Sequence, residues 1–196
     1  SLSLVKGGSG LLWLSGSNLY TGTTTVSGGV LRANEGVGLP SGNLALNGGV
    51  LETGLNFERG LGTGTSQVQL TGGTSGFSAY GAPVTVALGG TGSPAALTWG
   101  SASFAPSVLV LNATTANSAL AFANAIDLGS ADRTVSVEAN TATISGQLSG
   151  TAGLVKSGVG ALVLGNAANS FGGGATIKEG TVSVADVADS GTASPL

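Results

Sequence analysis

A segment of some thirty residues occurs twice in this chain of 196 residues, and the duplication constrains the fold more than any other feature. Residues 4–14 (LVKGGSGLLWL) return as residues 154–164 (LVKSGVGALVL), at an offset of 150. After one inserted residue the similarity continues at an offset of 151. We interpret the chain as one unit of about 150 residues followed by the start of the next, within a longer array.

The rest of the chain consists of short apolar clusters that alternate with Ser, Thr or Asn and end at Gly. Residues 44–49 (LALNGG) and 84–90 (VTVALGG) are examples. A period of two residues is typical of strands, and paired glycines supply the positive φ of sharp corners. No stretch has a helical period, so the sequence predicts an all-β fold.

Two all-β architectures use short strands and many glycine turns. One is an antiparallel sandwich of one or two domains, and the other is a solenoid in which each coil stacks on the last. Because internal repetition is the signature of solenoids, the duplication favours the second architecture.

Composition excludes several classes of function. The chain has no His and no Cys, so it lacks the usual ligands of zinc and iron–sulfur sites and the usual nucleophile pairs. Its net charge is −3 with only six Lys and Arg, which argues against nucleic acid or an anionic membrane as a partner. No apolar run approaches the ~18 residues of a membrane helix. We expect no cofactor, no metal and no membrane insertion of this segment.

Both copies keep the order Leu-x-Lys-x-Gly-x-Gly-x-Leu-x-Leu, followed by Asn, an aromatic residue, Gly, Thr and Gly. This order resembles the autotransporter passenger-associated β-strand repeat, at residues 4–33 and 154–185, with spacer coils at residues 35–153. The motif positions are Lys6, Gly10, Leu12, Leu14, Asn18, Tyr20, Gly22, Thr25 and Gly29 in the first copy, and Lys156, Gly160, Leu162, Leu164, Asn169, Phe171, Gly173, Thr176 and Gly180 in the second.

The resemblance implies a right-handed, single-stranded parallel β-helix that is continuous over residues 1–196. It also implies export across the outer membrane to an extracellular or cell-surface location. The implied function is that of a structural or adhesive stalk or filament segment without enzymatic activity.

Stacking rules predict the dimensions and the core of such a helix. Coils of ~20–25 residues spaced ~4.8 Å apart would give about eight to ten coils and a rod of roughly 40–45 Å. The expected core positions are Leu12, Leu14, Val26 and Leu31, with their counterparts Leu162, Leu164, Ile177 and Val182.

We expect the other motif residues to have structural roles. We expect Lys6 and Lys156 on the outer face of a strand, where they would hinder lateral association of sheets. Asn18 and Asn169 would occupy coil corners, by αL geometry or as an amide ladder. Tyr20 and Phe171 would cover the adjacent turns.

Two charged groups are candidates for catalysis. Asp127, Asp132, Arg133 and Glu138 surround a Gly-Ser turn, where a surface ion pair or a turn-capping carboxylate is the favoured interpretation. The second group pairs Glu52 with Glu58, the two carboxylates a glycosidase needs, although Arg59 beside Glu58 favours ordinary surface pairing.

Three hypotheses of function remain open at this stage. The leading one is the non-enzymatic stalk, with neighbouring repeats or further copies as end-to-end partners, and with surface glycans or neighbouring cells as possible targets. A polysaccharide-acting enzyme would require a groove with two carboxylates and a cation. A carbohydrate- or protein-binding module would require an exposed aromatic strip, for which the candidates are Trp13, Trp99, Tyr20, Tyr80 and Phe104.

Overall fold

The computed structural model describes residues 1–90 and 92–184, which form strands and turns without a helix. The strands are β1 Leu4–Lys6, β2 Leu11–Leu14, β3 Thr24–Val26, β4 Val30–Ala33, β5 Leu44–Asn47, β6 Val50–Thr53, β7 Phe57–Leu61, β8 Gln67–Gly72, β9 Thr74–Ala79, β10 Val84–Leu88, β11 Leu97–Thr98, β12 Val108–Leu111, β13 Leu120–Phe122, β14 Ile126–Asp127, β15 Arg133–Ser136, β16 Thr141–Ile144, β17 Leu148–Ser149, β18 Leu154–Ser157, β19 Ala161–Leu164, β20 Ala175–Ile177 and β21 Thr181–Val184.

These strands form three sheets that run along the molecule, and every strand pair among the described residues is parallel. The ten-stranded sheet has the order β1-β3-β5-β8-β7-β10-β13-β16-β19-β21, and the eight-stranded sheet the order β2-β4-β6-β9-β12-β15-β18-β20. The third sheet is short, with the order β11-β14-β17. Leu4 pairs with Thr24 and Thr24 with Leu44, so one coil takes 20 residues there. The fold is a parallel β-helix, which confirms the predicted all-β solenoid and rejects the antiparallel sandwich.

The core lies between the sheets and consists of ladders of apolar side chains. Val26, Leu46 and Leu70 are register partners and are fully buried. Phe77 packs in the same interior, with ring centroids 5.2 Å from Phe57 and 6.4 Å from Phe122. The side chains of a strand alternate between its two faces, so every second residue of a strand belongs to a core ladder. This explains the period of two seen in the sequence.

Seven of the eight predicted core positions lie in or against the core. Val26, Leu31, Leu162 and Leu164 are buried, and Leu12, Leu14 and Val182 pack against the core while partly exposed. Ile177 is the exception, because 49% of its surface is exposed. It lies on β20, the last strand of its sheet in the described part of the chain, so no described coil covers its far side.

The two motif copies use the sheets in opposite order. In the first copy the lysine strand β1 belongs to the ten-stranded sheet and β2 to the eight-stranded sheet, whereas β18 and β19 of the second copy have the reverse assignment. The exchange occurs at β7 and β8, which follow each other in the chain and are both in the ten-stranded sheet. The corner after the motif lysine therefore leaves the ten-stranded sheet in the first copy and the eight-stranded sheet in the second.

Candidate functional site

The lysines of the two motif copies build the same corner. Lys6 Nζ donates hydrogen bonds to the carbonyl oxygens of Gly7, Gly8 and Gly28 at 2.8, 2.9 and 2.9 Å. Gly28 belongs to the following coil, so the ammonium joins two successive coils.

Lys156 repeats this arrangement. Its Nζ donates to the carbonyls of Ser157, Gly158 and Glu179 at 2.8, 2.6 and 3.3 Å. These positions match the three carbonyls around Lys6 at the offsets of 150 and 151. We call this three-carbonyl arrangement the lysine clasp.

The prediction that both lysines lie on the outer face is wrong. Lys6 is 7% exposed and Lys156 is 1% exposed, and each pairs in register with an apolar residue, Val26 and Ile177 respectively. The aliphatic stem therefore fills a core position while the ammonium reaches the carbonyls at the corner. Burial lowers the pKa of Lys156 from its usual 10.5, an effect opposed by the charges of Glu138 and Glu179.

The motif glycines allow successive coils to approach closely. Gly29 and Gly180 have φ of 61° and 69°, and a Cβ there would overlap the carbonyl oxygens of Gly10 and Gly160 respectively. Both the left-handed backbone and the lack of space require glycine. Gly22 and Gly173 likewise leave no room for a Cβ beside the backbone of the coil before.

The two motif asparagines tie coils together without αL geometry. Asn18 donates through Nδ2 to the carbonyls of Gly16 and Gly38, at 3.0 and 3.1 Å, while Asn169 accepts a 2.8 Å bond from the Leu148 amide. Neither has a positive φ, and neither bonds to another Asn side chain among the described residues. The expected αL geometry and amide ladder are therefore absent there, and the bonds to backbone replace them.

The remaining motif positions differ in burial between the copies. Phe171 is buried in the core, whereas Tyr20 is half-buried and its hydroxyl lies 2.7 Å from Thr24 Oγ1. Thr25 and Thr176 point outward, as period-two alternation requires.

A second arrangement, on the outer face of the eight-stranded sheet, involves the first copy only. Trp13, Arg32, Glu52 and Ser78 are successive register partners on β2, β4, β6 and β9. Arg32 Nε lies 2.7 Å from Glu52 Oε1, and Glu52 is fully buried although it faces away from the core. Its other oxygen, Oε2, accepts hydrogen bonds from Ser78 and Thr115 at 2.9 and 2.6 Å.

Two aromatic rings flank the guanidinium of Arg32. Its Cζ lies 3.4 Å from the ring centroid of Tyr80 and 5.4 Å from that of Trp13, and the two rings are 6.2 Å apart in an edge-on arrangement. Together with neighbouring loop residues they line a groove of about 200 Å³. We call this the Trp13 groove.

The comparison with known families agrees with the motif. The model of the passenger-associated-transport-repeat matches residues 4–33 and residues 154–184. The chain contains two passenger-associated-transport-repeats. Together they cover about a third of the sequence, and the second match ends one residue before Ala185, the predicted bound, which lies outside the described residues. No curated protein and no solved structure shows significant similarity to the chain.

The passenger-associated-transport-repeat indicates an autotransporter passenger domain and a secreted or cell-surface location. In this chain the repeat contributes the lysine clasp and the close glycine contacts. The Trp13 groove is not a common feature of the two repeats, because the second repeat has Val163 at the position of Trp13 and Ser183 at that of Arg32.

The first group of charged candidates does not form a site. Asp127 accepts a hydrogen bond from the Gly129 amide at 2.8 Å, as expected of a turn-capping carboxylate, whereas Asp132 accepts one at 2.8 Å from the Gly153 amide of the next coil. Arg133 donates to the carbonyls of Leu128 and Trp99 rather than to a carboxylate. The fourth member of this group, Glu138, accepts a hydrogen bond from Ser136.

The second group of charged candidates, Glu52 and Glu58, does not form a site either. Arg59 is not paired with Glu58 at the surface, as the sequence favoured, but is buried and bonded to both carboxylate oxygens of Glu35, at 3.0 and 2.7 Å. Glu52 is held by Arg32, Ser78 and Thr115, so it does not share a cleft with Glu58. The carboxylate pair that a glycosidase requires is therefore not formed by these residues.

Sequence reasoning missed the pairing of Arg32 with Glu52, although a signal was present. The two residues are 20 apart, which is the coil length set by the Leu4, Thr24 and Leu44 register. The aromatic candidates separate in the structure, because Trp99 and Phe104 are buried together while Trp13 and Tyr80 meet at the groove.

Within residues 1–90 and 92–184, no cluster of three or more Asp and Glu side chains could hold a metal ion. The same residues contain no helix long and apolar enough to cross a membrane.

Proposed function

We propose that this chain is a stalk segment of an exported autotransporter passenger, whose function depends on length and on resistance to unfolding. The observation that carries this proposal is the coil-to-coil pairing, which continues from β1 to β21 through two long parallel sheets. The eight-stranded sheet has one strand in each coil, and the seven spacings between its strands correspond to a rod of about 34 Å.

The lysine clasps and close glycine contacts support a mechanical function. Each clasp joins consecutive coils through charge-assisted hydrogen bonds, which are stronger than neutral ones. Because the same clasp recurs 150 residues later, the repeats reinforce the rod at intervals without requiring a ligand.

The ends of the rod favour end-to-end partners. In the described residues β1 and β2 pair on one side only, as do β20 and β21. Unpaired strand edges offer backbone groups to another strand, so the proposed partners are neighbouring repeats or further copies of the chain.

The alternative of a polysaccharide-acting enzyme has less support. The Trp13 groove is lined by one cation and no carboxylate, and a second groove of about 210 Å³ beside Val30, Val50 and Val110 is lined by Glu138 alone among charged residues. Neither groove provides the two carboxylates that the enzyme hypothesis requires.

Surface display tests the stalk proposal. One, two or three copies of the chain are placed between an N-terminal epitope tag and a translocator barrel, and the height of the tag above the outer membrane is measured by electron microscopy. We expect the height to increase by about 40 Å for each copy. A height that does not change with copy number, or release of sugars from a polysaccharide panel by the purified chain, would overturn the proposal.

A further inference from the structure

We propose that the Trp13 groove is a binding site for a saccharide unit that carries a carboxylate. This inference goes beyond the stalk function and rests on the residues around Arg32. The saccharide could be a uronate of a bacterial or plant polysaccharide or a sialic acid of an animal glycan, since both present a carboxylate on a pyranose ring.

The first step of the argument is the exposed indole. Trp13 is 56% exposed and lies on β2, the first strand of its sheet in the described residues, at the end of an outward row whose other members are largely covered. A pyranose ring has C–H bonds on its faces and hydroxyls on its edge, so it can stack on an indole while its polar groups remain accessible. Trp combines apolar area with a polar N–H, which suits this kind of contact.

The second step is the unused hydrogen-bonding capacity of Arg32. Its Nε is bonded to Glu52, but its two terminal nitrogens donate to no group among the described residues. Those nitrogens carry four N–H donors in one plane, a geometry that matches the two oxygens of a carboxylate. The side chain is 14% exposed and lines the groove, so these donors are available to a ligand.

The third step is preorganisation. Glu52 is fully buried and held by three side chains, and it fixes Arg32 from behind while Tyr80 covers one face of the guanidinium. A ligand therefore meets an arginine that has already lost its side-chain freedom, which reduces the entropic cost of binding.

A saccharide fits this groove better than an extended peptide. Peptides commonly bind to sheets by adding a strand to a free edge. Arg32, which provides the free donors, lies on β4, and β4 is paired with β2 on one side and with β6 on the other, so this part of the groove offers no free strand edge. The volume of about 200 Å³ is also below the usual range for drug-sized ligands, and it suits a single ring.

The second repeat provides a matched control for the experiment. Val163 and Ser183 stand at the positions of Trp13 and Arg32, so the motif folds without these two side chains. Trp13→Val therefore removes the stacking surface in a way that the repeat tolerates, while Arg32→Lys keeps the charge and removes the planar array of donors.

Binding is measured by calorimetry on the whole chain with four probes: a galacturonic acid trisaccharide, its methyl ester, sialyllactose and lactose. We expect one of the two acidic probes to bind with the wild type, and its uncharged counterpart to bind at least about ten-fold more weakly. Trp13→Val and Arg32→Lys should each weaken binding by about ten-fold or more. Which acidic probe binds identifies the source of the sugar.

Tryptophan fluorescence gives a second readout on the same protein. Trp99 is buried, so a ligand-dependent change in the wild type reports Trp13, and the signal should be absent in Trp13→Val. Circular dichroism melts establish that each variant is folded. The proposal is overturned if neither acidic probe binds at millimolar concentration, if an uncharged probe binds as well as its acidic counterpart, or if a folded Trp13→Val variant binds like the wild type.

Discussion

At the scale of single residues, the burial of the motif lysine is the main departure from the sequence-based expectation. Lys6 shares a strand face with Leu4, and Lys156 with Leu154, so the period of two already placed both lysines on the face of an apolar residue. A charged side chain is nevertheless expected outside, because burial of an ammonium is costly unless it is paired. The three carbonyls that satisfy it come partly from the next coil, which strand periodicity does not reveal.

Replacing the clasp ammonium should destabilise the rod while preserving its packing. Lys156→Met keeps an unbranched apolar stem and leaves three carbonyls without their donor, so we expect a loss of about 1–3 kcal/mol in the free energy of unfolding. The matched control is Lys178→Met at an exposed site, where the change should stay within about 0.5 kcal/mol. Denaturant unfolding measures both, and equal effects at the two positions would contradict the clasp.

The lowered pKa of Lys156 predicts a pH dependence. In the window between the lowered folded-state pKa and the usual 10.5, the unfolded chain binds more protons than the folded chain. Stability should therefore increase with pH toward 10.5, relative to Lys156→Met, and the increase should be lost as the pH falls through the folded-state pKa. Unfolding midpoints compared between pH 8 and 10.5 test the sign, and a relative decrease with pH would contradict it.

Arg32 and Glu52 form the second residue-scale prediction. Arg32→Met leaves a buried carboxylate without its cation, which should cost about 3–5 kcal/mol of unfolding free energy. The double variant Arg32→Met with Glu52→Met should recover most of this loss, because two apolar side chains replace the pair. A double variant that is as unstable as Arg32→Met would show that the loss comes from packing rather than from the unpaired charge.

At the scale of strands and corners, the sequence predicted where the chain turns. It explained only part of the requirement for glycine at those turns. Gly10 and Gly160 occupy the same motif position, yet a Cβ on Gly10 would meet nothing within 4 Å, whereas a Cβ on Gly160 would overlap Val137 of the previous coil. Gly10 lies in the first described coil. Glycine is therefore sterically required at this motif position only where a preceding coil lies against it. The sequence alone does not distinguish a position with such a coil, Gly160, from one without it, Gly10.

This difference predicts unequal tolerance within one motif. Gly160→Ala should lower the free energy of unfolding by about 1–3 kcal/mol through overpacking, whereas Gly10→Ala should be close to neutral. Neither glycine has a positive φ, so backbone strain does not contribute to the comparison. Thermal unfolding of the two variants tests this, and equal shifts would refute the steric explanation.

At the scale of the whole molecule, the fold class followed from the sequence because strand periodicity and the long duplication agree. The sequence did not predict the exchange of the motif strands between the two sheets. This exchange depends on two consecutive strands, β7 and β8, that lie in the same sheet. Nothing in residues 57–72 marks this by composition, since β7 and β8 alternate like the other strands.

A whole-coil deletion tests the stacked architecture. Thr141 pairs with Ala161, so removing residues 141–160 joins Asn140 to Ala161 and keeps every later strand in register. We expect this variant to retain its β circular dichroism spectrum and cooperative unfolding, with somewhat lower stability because one coil interface is lost. Removing residues 141–151 should abolish cooperative unfolding, because about half a coil is missing. Similar behaviour of the two deletions would argue against coil-by-coil stacking.

The exchange between sheets also determines how the rod meets its surroundings. Because the corner after Lys6 leaves the ten-stranded sheet and the corner after Lys156 leaves the eight-stranded sheet, the two copies display the same feature in different directions around the rod axis. Any molecule that recognises this corner would therefore meet two copies of it on one rod, and it would approach them from different directions.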